Sequence, residues 1–524
     1  MSFRKLVPLI ALLAVFTMAL RFSIGADTYW HLKAGDWILS TGSLPNPDPF
    51  SLTRLGSEWI YPGWLAQIAL ISVYKLLGFP GLNLLTALLV TAAFGFVWQT
   101  MREGPLLRAF VLLLAATVSA VYWSARPHIF TFLFTAVTLW ILAKFRRERG
   151  SRVIWLIPAL TTIWANTHGG FVIPVLLLGL EIAATIYSLL LPKLRIATHQ
   201  KWVREELSAT GDQMIEAGGD GSNSEKEIRG GVHASDEDRQ LVVERLKMLL
   251  AATLAAVVAI VVNPFGLDML AYPLRTVSIG VLRDFIQEWQ SPNFHQLEIQ
   301  PFLWMLLLAL AAMAMSPKRP KAIELIHIGI FTYMGFLAAR NIALFALVAA
   351  PVLSRHADAI LMRWLPGRRG GQELSPRLTR SLNAVLLALI GLAVLIKSAV
   401  PLSTQFNEET IGESMPAGAV EYLRTNQPRG PLLNSYNWGG YVIWSLYPRY
   451  LSFVDGRTDL FDDAILEEYL DVWRGNDGWQ EALDRWDIQL VLIEKDAPLA
   501  RELLRGGWNE GFADDQARVF TAPD

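Results

Sequence analysis

Long apolar runs separated by short polar segments dominate this chain of 524 residues. Apolar segments occur at 6–25, 82–100, 106–124, 127–145, 153–167, 170–191, 246–263, 301–315, 322–338, 341–354 and 380–401. A helix needs roughly 20 apolar residues to cross the hydrocarbon core, and several of these segments are shorter, so their boundaries are approximate. The pattern predicts a polytopic α-helical membrane protein with about 11 transmembrane helices.

One further apolar stretch, 62–79, is amphipathic and contains Trp and Tyr. If this stretch does not cross the membrane, the basic clusters KFRRERGSR at 144–152 and SPKRPK at 316–321 face the cytoplasm, as the positive-inside rule requires. If it does cross, the cluster at 144–152 moves outside. We therefore predict that 62–79 lies in the membrane interface or re-enters it, and that the C-terminal region is extracytoplasmic.

The polar segments suggest how the chain divides into domains. Residues 205–240 are rich in Gly, Ser, Asp and Glu, which predicts that the cytoplasmic loop 192–245 is partly disordered and carries no chemistry. The composition beyond residue 402 is that of a soluble protein. We predict a transmembrane domain at 1–401, whose first external loop with its interfacial helix is 26–80, and a soluble extracytoplasmic domain at 402–524.

Alternating short strand-like runs and helical patterns fill the soluble segment. The strand-like runs are PLLNS, YLSFVDG and QLVLIEK, and the helical patterns lie at 463–474, 478–486 and 498–506. This alternation predicts a small α/β domain.

Composition supports the membrane interpretation and excludes several kinds of chemistry. Hydrophobic residues make up 53% of the chain and charged residues only 18%, whereas soluble domains carry about a quarter charged residues. A net charge of −1 gives no sign of a nucleic-acid partner. The chain has no cysteine, which excludes disulfides, thiolate metal sites and cysteine nucleophiles. We interpret MSFRK and the following apolar run as a retained signal-anchor helix.

Polar residues beside apolar segments gather on one side of the predicted topology. The external set comprises Asp27, His31, Asp36, Asp48, Arg126, His128, Asn166, His168, Asn263, Glu288, Arg340 and Asn341. Polar groups at membrane depth are costly and often functional. A structural alternative exists for each: Asp27 as a helix N-cap, for example, or Arg126 and Arg340 as cations that extend to the interface. Their convergence predicts a site on the external face.

The spacing in the first external loop distinguishes its acids. Asp27 and His31 are four residues apart and share one face of a helix, whereas Asp36 falls on the opposite face. Asp27 and His31 are therefore the better catalytic or metal-binding pair, with Mg²⁺ or Mn²⁺ as the metal. Asp36 and Asp48 are expected to support the structure.

Two motifs resemble the GT-C superfamily of integral-membrane glycosyltransferases. The sequence DTYWH at 27–31 is similar to the loop with Asp, Trp and His in oligosaccharyltransferase catalytic subunits. The segment PLLNSYNWGGYVIWSLYPRYLSFVDGRTD at 431–459 resembles the WWDYG region of those subunits in placement and layout. The acidic residue of WWDYG is replaced here by Gly439, so the resemblance does not extend to glycosylation of a sequon.

The resemblance implies a membrane enzyme that moves a sugar from a polyprenyl-phosphate or polyprenyl-diphosphate donor. Transfer is expected at the extracytoplasmic face of a bacterial cytoplasmic membrane, in cell-envelope synthesis, with a glycan, lipid or protein as acceptor. Asp27 would act as general base or metal ligand, and Glu288 would lie in the site. Arg340, with Arg126 or His128, would hold the donor phosphate. The predicted acceptor-binding residues are Trp438, Tyr441, Asp455 and Arg457, for which a structural role in the α/β domain is the alternative.

Two other functions remain open from the sequence. A transporter or flippase of lipid-linked sugars would have polar residues through the midplane and repeat-like halves. A non-catalytic envelope-assembly protein would tolerate loss of Asp27 but not of the C-terminal domain. The enzyme interpretation predicts that Asp27, Glu288, Arg340 and the 438–457 loop enclose one cavity.

Overall fold

The computed structural model describes residues 3–148, 151–190, 236–364 and 376–523. The loop predicted at 192–245 lies outside these ranges up to residue 235. The N-terminal helices are α1 (Phe3–Ala19), α2 (Ala26–Thr41), α3 (Trp64–Thr100), α4 (Pro105–Ser119), α5 (His128–Arg147), α6 (Leu156–Ala165), α7 (173–190), α8 (Asp236–Ile260), α9 (Asp268–Ser278), α10 (Gly280–Phe285), α11 (Gln300–Met315), α12 (Ala322–Leu337), α13 (Ile342–Trp364) and α14 (Pro376–Ala399).

The described ranges do not confirm a count of eleven spans. Six helical stretches are long and apolar enough to cross a membrane: Trp64–Thr100, Pro105–Tyr122, His128–Arg147, Gly169–Leu190, Ala339–Trp364 and Thr379–Ala399. Four shorter apolar helices accompany them, at Lys5–Ala19, Arg152–Ala165, Gln300–Met315 and Ala322–Leu337. The segment predicted at 246–263 falls mostly within α8, which meets neither description.

A break divides α3 near the end of the amphipathic stretch. Gly78 has φ of +65° and ψ of −159°, a left-handed conformation that only glycine adopts readily. Two helices therefore meet at this residue, one over 64–77 and one that continues to residue 100. The first packs against α2, where a Cβ at Gly35 would lie 2.3 Å from the carbonyl oxygen of Gln67. The glycine at position 35 lets the two backbones approach closely.

The two ends of the helical bundle differ in chemistry. His128 begins α5, and Arg146 lies 18 residues further on, a rise of about 27 Å. There the nearly buried Glu181 pairs with Arg146. At a comparable position on α13, Arg355 Nη1 donates to Glu324 Oε1 at 2.6 Å. Basic residues therefore concentrate at the end opposite His128.

The C-terminal segment forms a small α/β unit. Its elements are α15 (Thr404–Ser414), α16 (Ala417–Asn426), β1 (Leu432–Asn434), α17 (Gly439–Leu446), α18 (Thr458–Arg474), α19 (Trp479–Arg485), β2 (Leu490–Glu494), α20 (Pro498–Arg505), β3 (Asn509–Ala513) and β4 (Ala517–Thr521). The sheet order is β1-β2-β4-β3, with β1 and β2 parallel and the other pairs antiparallel. The boundary predicted at 401–402 falls between α14 and α15.

A buried ion pair joins the C-terminal unit to the first external loop. Arg457 is fully buried, and its Nε and Nη2 each donate to the Asp455 carboxylate at 2.7 Å. Its Nη1 donates to Asp48, which lies in the first external loop. Thr53 Oγ1 also donates to the Phe453 carbonyl oxygen at 2.7 Å. The unit is therefore fixed directly against the loop that follows the first apolar helix.

Candidate active site

A cavity of about 1790 Å³ lies between the helical bundle and the C-terminal unit. Its walls come from the first turn of α2, the connection from α4 to α5, the segments around α9 and 285–301, the start of α13, and the C-terminal loops near 436 and 458. Six of the ten predicted site residues line it: Asp27, His31, Arg126, His128, Glu288 and Arg340. Segments far apart in the sequence thus meet at one place.

A chain of alternating charges crosses the cavity. Arg126 Nη1 donates to Asp27 Oδ2 at 2.6 Å, and its Nη2 donates to Glu288 Oε2 at 2.8 Å. Arg340 Nη1 lies 4.0 Å from Glu288 Oε1, beyond hydrogen-bond distance, and its guanidinium stands 4.3 Å above the Trp289 ring. Arg126 is therefore held by two carboxylates, whereas Arg340 keeps donors available for a ligand.

Local structure fixes the position of Asp27. The N-cap of α2 is Gly25, so Asp27 lies in the first helical turn and is not the cap. The nearly buried Trp30, one turn later, donates from Nε1 to Asp27 Oδ1 at 3.2 Å. Gly456 of the C-terminal unit covers the same oxygen, because a Cβ there would lie 1.8 Å from Asp27 Oδ1. Both carboxylate oxygens are thus oriented by neighbours.

Burial and charge set the protonation of this group. Burial raises the pKa of Asp27, and the attraction of Arg126 only partly offsets the rise. Burial also opposes ionisation of Glu288, but the cations Arg126 and Arg340 outweigh it and lower the pKa of that carboxyl. Asp27 is consequently the stronger base of the two, and Glu288 remains an anion that holds the arginines.

The histidines lie in the cavity wall with their ring nitrogens already in contact with neighbours. His31 Nδ1 lies 3.4 Å from Gln67 Nε2, and burial lowers the pKa of His31 well below its ordinary value. His128 Nε2 donates to the Tyr122 carbonyl oxygen at 2.7 Å, so this nitrogen does not face a phosphate. The geometry favours Arg340 over His128 as the phosphate-binding group.

The pair of Asp27 and His31 does not provide a metal site in this geometry. Among the described residues, no group of three or more His, Cys, Asp or Glu side chains is placed to hold a metal ion. The Arg126 guanidinium already lies 2.6 Å from Asp27 Oδ2 and would repel a divalent cation there. Mg²⁺ or Mn²⁺ stays a sequence prediction, and the chemistry proposed below uses protein groups alone.

The four residues predicted to bind an acceptor do not line the cavity. Asp455 and Arg457 are fully buried in the ion pair with Asp48, which matches the structural alternative. Trp438 is buried in the core of the C-terminal unit, and the Tyr441 ring packs 5.0 Å from Tyr29. Their positions therefore give no support to an acceptor-binding role.

Close backbone contacts explain why the segment 431–459 has glycine at positions 439, 440 and 456. A Cβ at Gly439 would lie 2.1 Å from the Val454 carbonyl oxygen, so no acidic side chain fits at this position. Gly440 and Gly456 do line the cavity, and a Cβ at Gly440 would lie 2.6 Å from the Ala26 carbonyl oxygen. At Gly440 and Gly456 the C-terminal unit therefore contributes backbone to the cavity wall.

Several cavity residues were missed by the sequence interpretation, notably Tyr61, Tyr272, Tyr436, Thr458 and Asp459. A signal for Asp459 was present in the sequence, because this residue lies three positions after the strand-like run YLSFVDG and two after Arg457. Nothing in the pattern around Tyr272 distinguishes it from an interfacial tyrosine. Its ring fits beside Gly169, where a Cβ would lie 2.9 Å from Tyr272 Cε1.

Comparison with known proteins supports the architecture through structure alone. No model of a known protein family matches the chain, and no curated protein matches it by sequence. The crystal structure of the Archaeoglobus fulgidus oligosaccharyltransferase, tethered with an acceptor peptide containing the NVT sequon, is similar with a TM-score of 0.52 at 13% identity. The apo form of that enzyme gives 0.51 at 12% identity. Both comparisons cover 94% of this chain and 69% of the archaeal one.

The protein is a multi-pass membrane protein with a GT-C-like fold, as the two motifs led us to expect. More particularly, its fold is the one seen in the archaeal oligosaccharyltransferase, and at 13% identity the likeness defines the fold and not the reaction. The apo structure of ArnT from Cupriavidus metallidurans matches 99% of both chains at 14% identity with a TM-score of 0.43.

Proposed function

We propose that the protein is a membrane glycosyltransferase that moves a sugar from a polyprenyl-phosphate or polyprenyl-diphosphate donor to an acceptor. The observation that carries the proposal is the chain Asp27–Arg126–Glu288–Arg340 across one cavity between bundle and C-terminal unit. It places a raised-pKa carboxylate beside cations, within a fold shared with an oligosaccharyltransferase.

The groups fit the electronic demands of sugar transfer. Asp27 removes the proton from the acceptor hydroxyl or amide as that oxygen or nitrogen bonds to the anomeric carbon. The bond between the anomeric carbon and the phosphate oxygen breaks, and the polyprenyl phosphate or diphosphate leaves with the electron pair. Arg340 stabilises the charge that develops on the phosphate, since its fork matches phosphate oxygens and its nearest carboxylate contact, to Glu288, is 4.0 Å long.

The distribution of basic residues supports the orientation we propose. The cavity lies at one end of α5 and α13, and Arg146 and Arg355 lie near the other. Under the positive-inside rule the basic end is cytoplasmic. The cavity and the C-terminal unit are then extracytoplasmic, on the cytoplasmic membrane of the cell.

The direct test is transfer from a defined polyprenyl-linked sugar by the purified protein in lipid nanodiscs. We expect Asp27→Asn to lose at least 100-fold in the rate of polyprenyl-phosphate release while it inserts and purifies as the wild type does. Because burial raises the pKa of Asp27, the wild-type rate should fall on acidification at a higher pH than for an ordinary carboxyl base.

The matched control is Asp36→Asn, on the same helix but outside the cavity. Asp36 pairs with Lys75 at 2.6 Å, and its substitution should leave transfer within about twofold of the wild type. Full activity of Asp27→Asn would remove Asp27 as the base. Equal loss in both variants would mean that the helix, and not the carboxylate, is what transfer requires.

A further inference from the structure

The Asp27 carboxylate separates two chemically different halves of the cavity. Its Oδ2 faces Arg126. On that side Arg126, Glu288 and Arg340 line the half of the cavity that is suited to a phosphate group. Its Oδ1 faces Trp30 Nε1 and Gly456. The second half therefore begins at Gly456, in the C-terminal unit.

Asp459 is a carboxylate of this second half. It lies at the start of α18 and lines the cavity, and its Oδ2 accepts from the Tyr272 hydroxyl at 3.4 Å. Within the described ranges, no Lys, Arg or His side chain forms an ion pair with it. The nearest cation along the chain, Arg457, is already bound by Asp48 and Asp455. Asp459 thus faces the cavity as an acceptor without a cationic partner.

Two tyrosine hydroxyls accompany this carboxylate. Tyr61 also lines the cavity, and its ring stacks on Trp59 with centroids 5.3 Å apart. The described part of the chain offers no hydrogen-bond partner to its hydroxyl. Burial, with the negative charges of Asp459 and Asp27, raises the pKa of Tyr61 well above its ordinary value. Burial and Asp459 do the same to the pKa of Tyr272. Both phenols therefore remain donors at any physiological pH.

The combination of one carboxylate and two phenols suits a ligand whose groups both donate and accept. A sugar hydroxyl does both, so it can donate to Asp459 and accept from a tyrosine. An ammonium group accepts nothing and would leave the Tyr61 hydroxyl proton without an acceptor, and an anion would be repelled by the carboxylate.

We propose that Asp459, Tyr61 and Tyr272 form the acceptor subsite and that the acceptor is a carbohydrate. This inference rests on the proposed glycosyltransferase function, because it names the second substrate of the same cavity. The acceptor sugar binds with one hydroxyl directed to the Asp27 carboxylate. That hydroxyl loses its proton to Asp27 as its oxygen bonds to the anomeric carbon of the donor sugar.

The test uses the full-length protein in nanodiscs and separates binding from transfer. Binding of short oligosaccharides is measured without donor by saturation-transfer NMR. Transfer is measured from polyprenyl-phosphate and polyprenyl-diphosphate sugars to the same oligosaccharides, and to peptides that contain Ser, Thr and Asn. Asp459→Asn should raise the oligosaccharide KM at least tenfold. Tyr272→Phe should raise this KM less.

The control is Glu467→Gln, an exposed acid on the same helix that should change neither measurement. An unchanged oligosaccharide KM in Asp459→Asn would overturn the subsite. Transfer by the wild type to peptides and not to oligosaccharides would overturn the acceptor class while the proposed function stands. Oligosaccharide binding that depends on Asp459, without sugar release from either donor, would overturn the proposed function while the subsite stands. Absence of both binding and release would overturn both.

Discussion

Gly456→Ala tests the contact between the C-terminal unit and the catalytic carboxylate. The added Cβ would lie 1.8 Å from Asp27 Oδ1, whereas carbon and oxygen ordinarily approach to about 3.3 Å. One of the two groups must therefore move by roughly 1.5 Å. The Gly456 backbone is fixed by the buried neighbours Asp455 and Arg457, so the Asp27 side chain moves instead. That movement breaks its hydrogen bonds to Trp30 and Arg126.

The expected effect is on catalysis far more than on folding. Misplacement of a reacting group by about 1 Å can cost about 100-fold in rate, whereas overpacking of this kind costs about 1 to 3 kcal/mol of stability. We expect release of polyprenyl phosphate to slow about 100-fold, measured in nanodiscs with a defined donor. Donor binding should stay within about threefold, because Arg340 lies on the other side of Arg126.

The control for this substitution is Gly412→Ala, in α15 of the same unit. No heavy atom lies within 4 Å of a Cβ at Gly412, and alanine favours a helix interior by about 1 kcal/mol over glycine. This variant should transfer sugar at the wild-type rate and unfold at an equal or higher temperature. A Gly456→Ala protein that keeps half or more of wild-type activity would refute the reasoning, since the carboxylate would then tolerate the displacement.

Four further substitutions probe Arg340, Arg457 and Asp459. Arg340→Ala should raise the Kd for polyprenyl phosphate about 10- to 100-fold, measured by the fluorescence of the adjacent Trp289. Arg340→Lys should give an intermediate Kd, because lysine lacks the planar guanidinium that binds two phosphate oxygens. An equal rise in the acceptor KM would contradict a phosphate-binding role. Arg457→Met leaves Asp48 and Asp455 buried without a cation and should lower the unfolding free energy by about 3 to 5 kcal/mol. Thermal unfolding would detect this change. An unchanged stability would show that the ion pair does not anchor the C-terminal unit. Burial raises the pKa of Asp459 to about 6, so the native state binds this proton more tightly than the unfolded chain and stability falls as pH rises from about 4 to about 6. Asp459→Asn should therefore stabilise the protein by about 1 to 3 kcal/mol at pH 7.5 and much less at pH 4.5, and an equal effect at both values would contradict the shift.

The pattern of apolar runs predicted the bundle well because each transmembrane helix is encoded locally. The break in α3 was also foreseeable, since the amphipathic stretch and the apolar stretch differ in character on the two sides of Gly78. The number of spans could not be predicted, because helices such as α1 and α11 are shorter than a bilayer requires. Whether such a short helix crosses the membrane depends on its tilt and on its neighbours.

Pairings between distant segments account for most of the errors in the C-terminal unit. The run YLSFVDG was predicted as a strand, but its backbone pairs with the first external loop through Ser452 and Ser51 and with the Asn434 side chain. The last two strands, β3 and β4, were not predicted; β3 is short, polar and mostly exposed, whereas β4 is mostly buried and pairs with β2 as well as β3.

The candidate site was accessible to sequence reasoning where charge and topology determined it. Charged side chains in or near a membrane are energetically costly, and the predicted topology puts four of them on one face: Asp27, Arg126, Glu288 and Arg340. That placement was enough to predict that they lie close together. A sequence pattern does not distinguish charged residues that form a buried ion pair from charged residues that bind a ligand. Asp455 and Arg457 were therefore predicted to bind the acceptor, with a structural role as the alternative. The neighbour Asp459 lines the cavity and forms no ion pair among the described residues, a difference that the sequence does not reveal.

The ion pair between Asp48 and Arg457 spans 409 positions of the chain. The first external loop is synthesised long before Arg457 leaves the ribosome. The loop therefore lacks its Arg457 contact while nearly every later helix of the bundle is made. During that interval Asp27 has its Trp30 contact but lacks the backbone of Gly456 over its second oxygen. The cavity is therefore completed only after the C-terminal unit has been synthesised, and a product that ends before Gly456 contains no finished site.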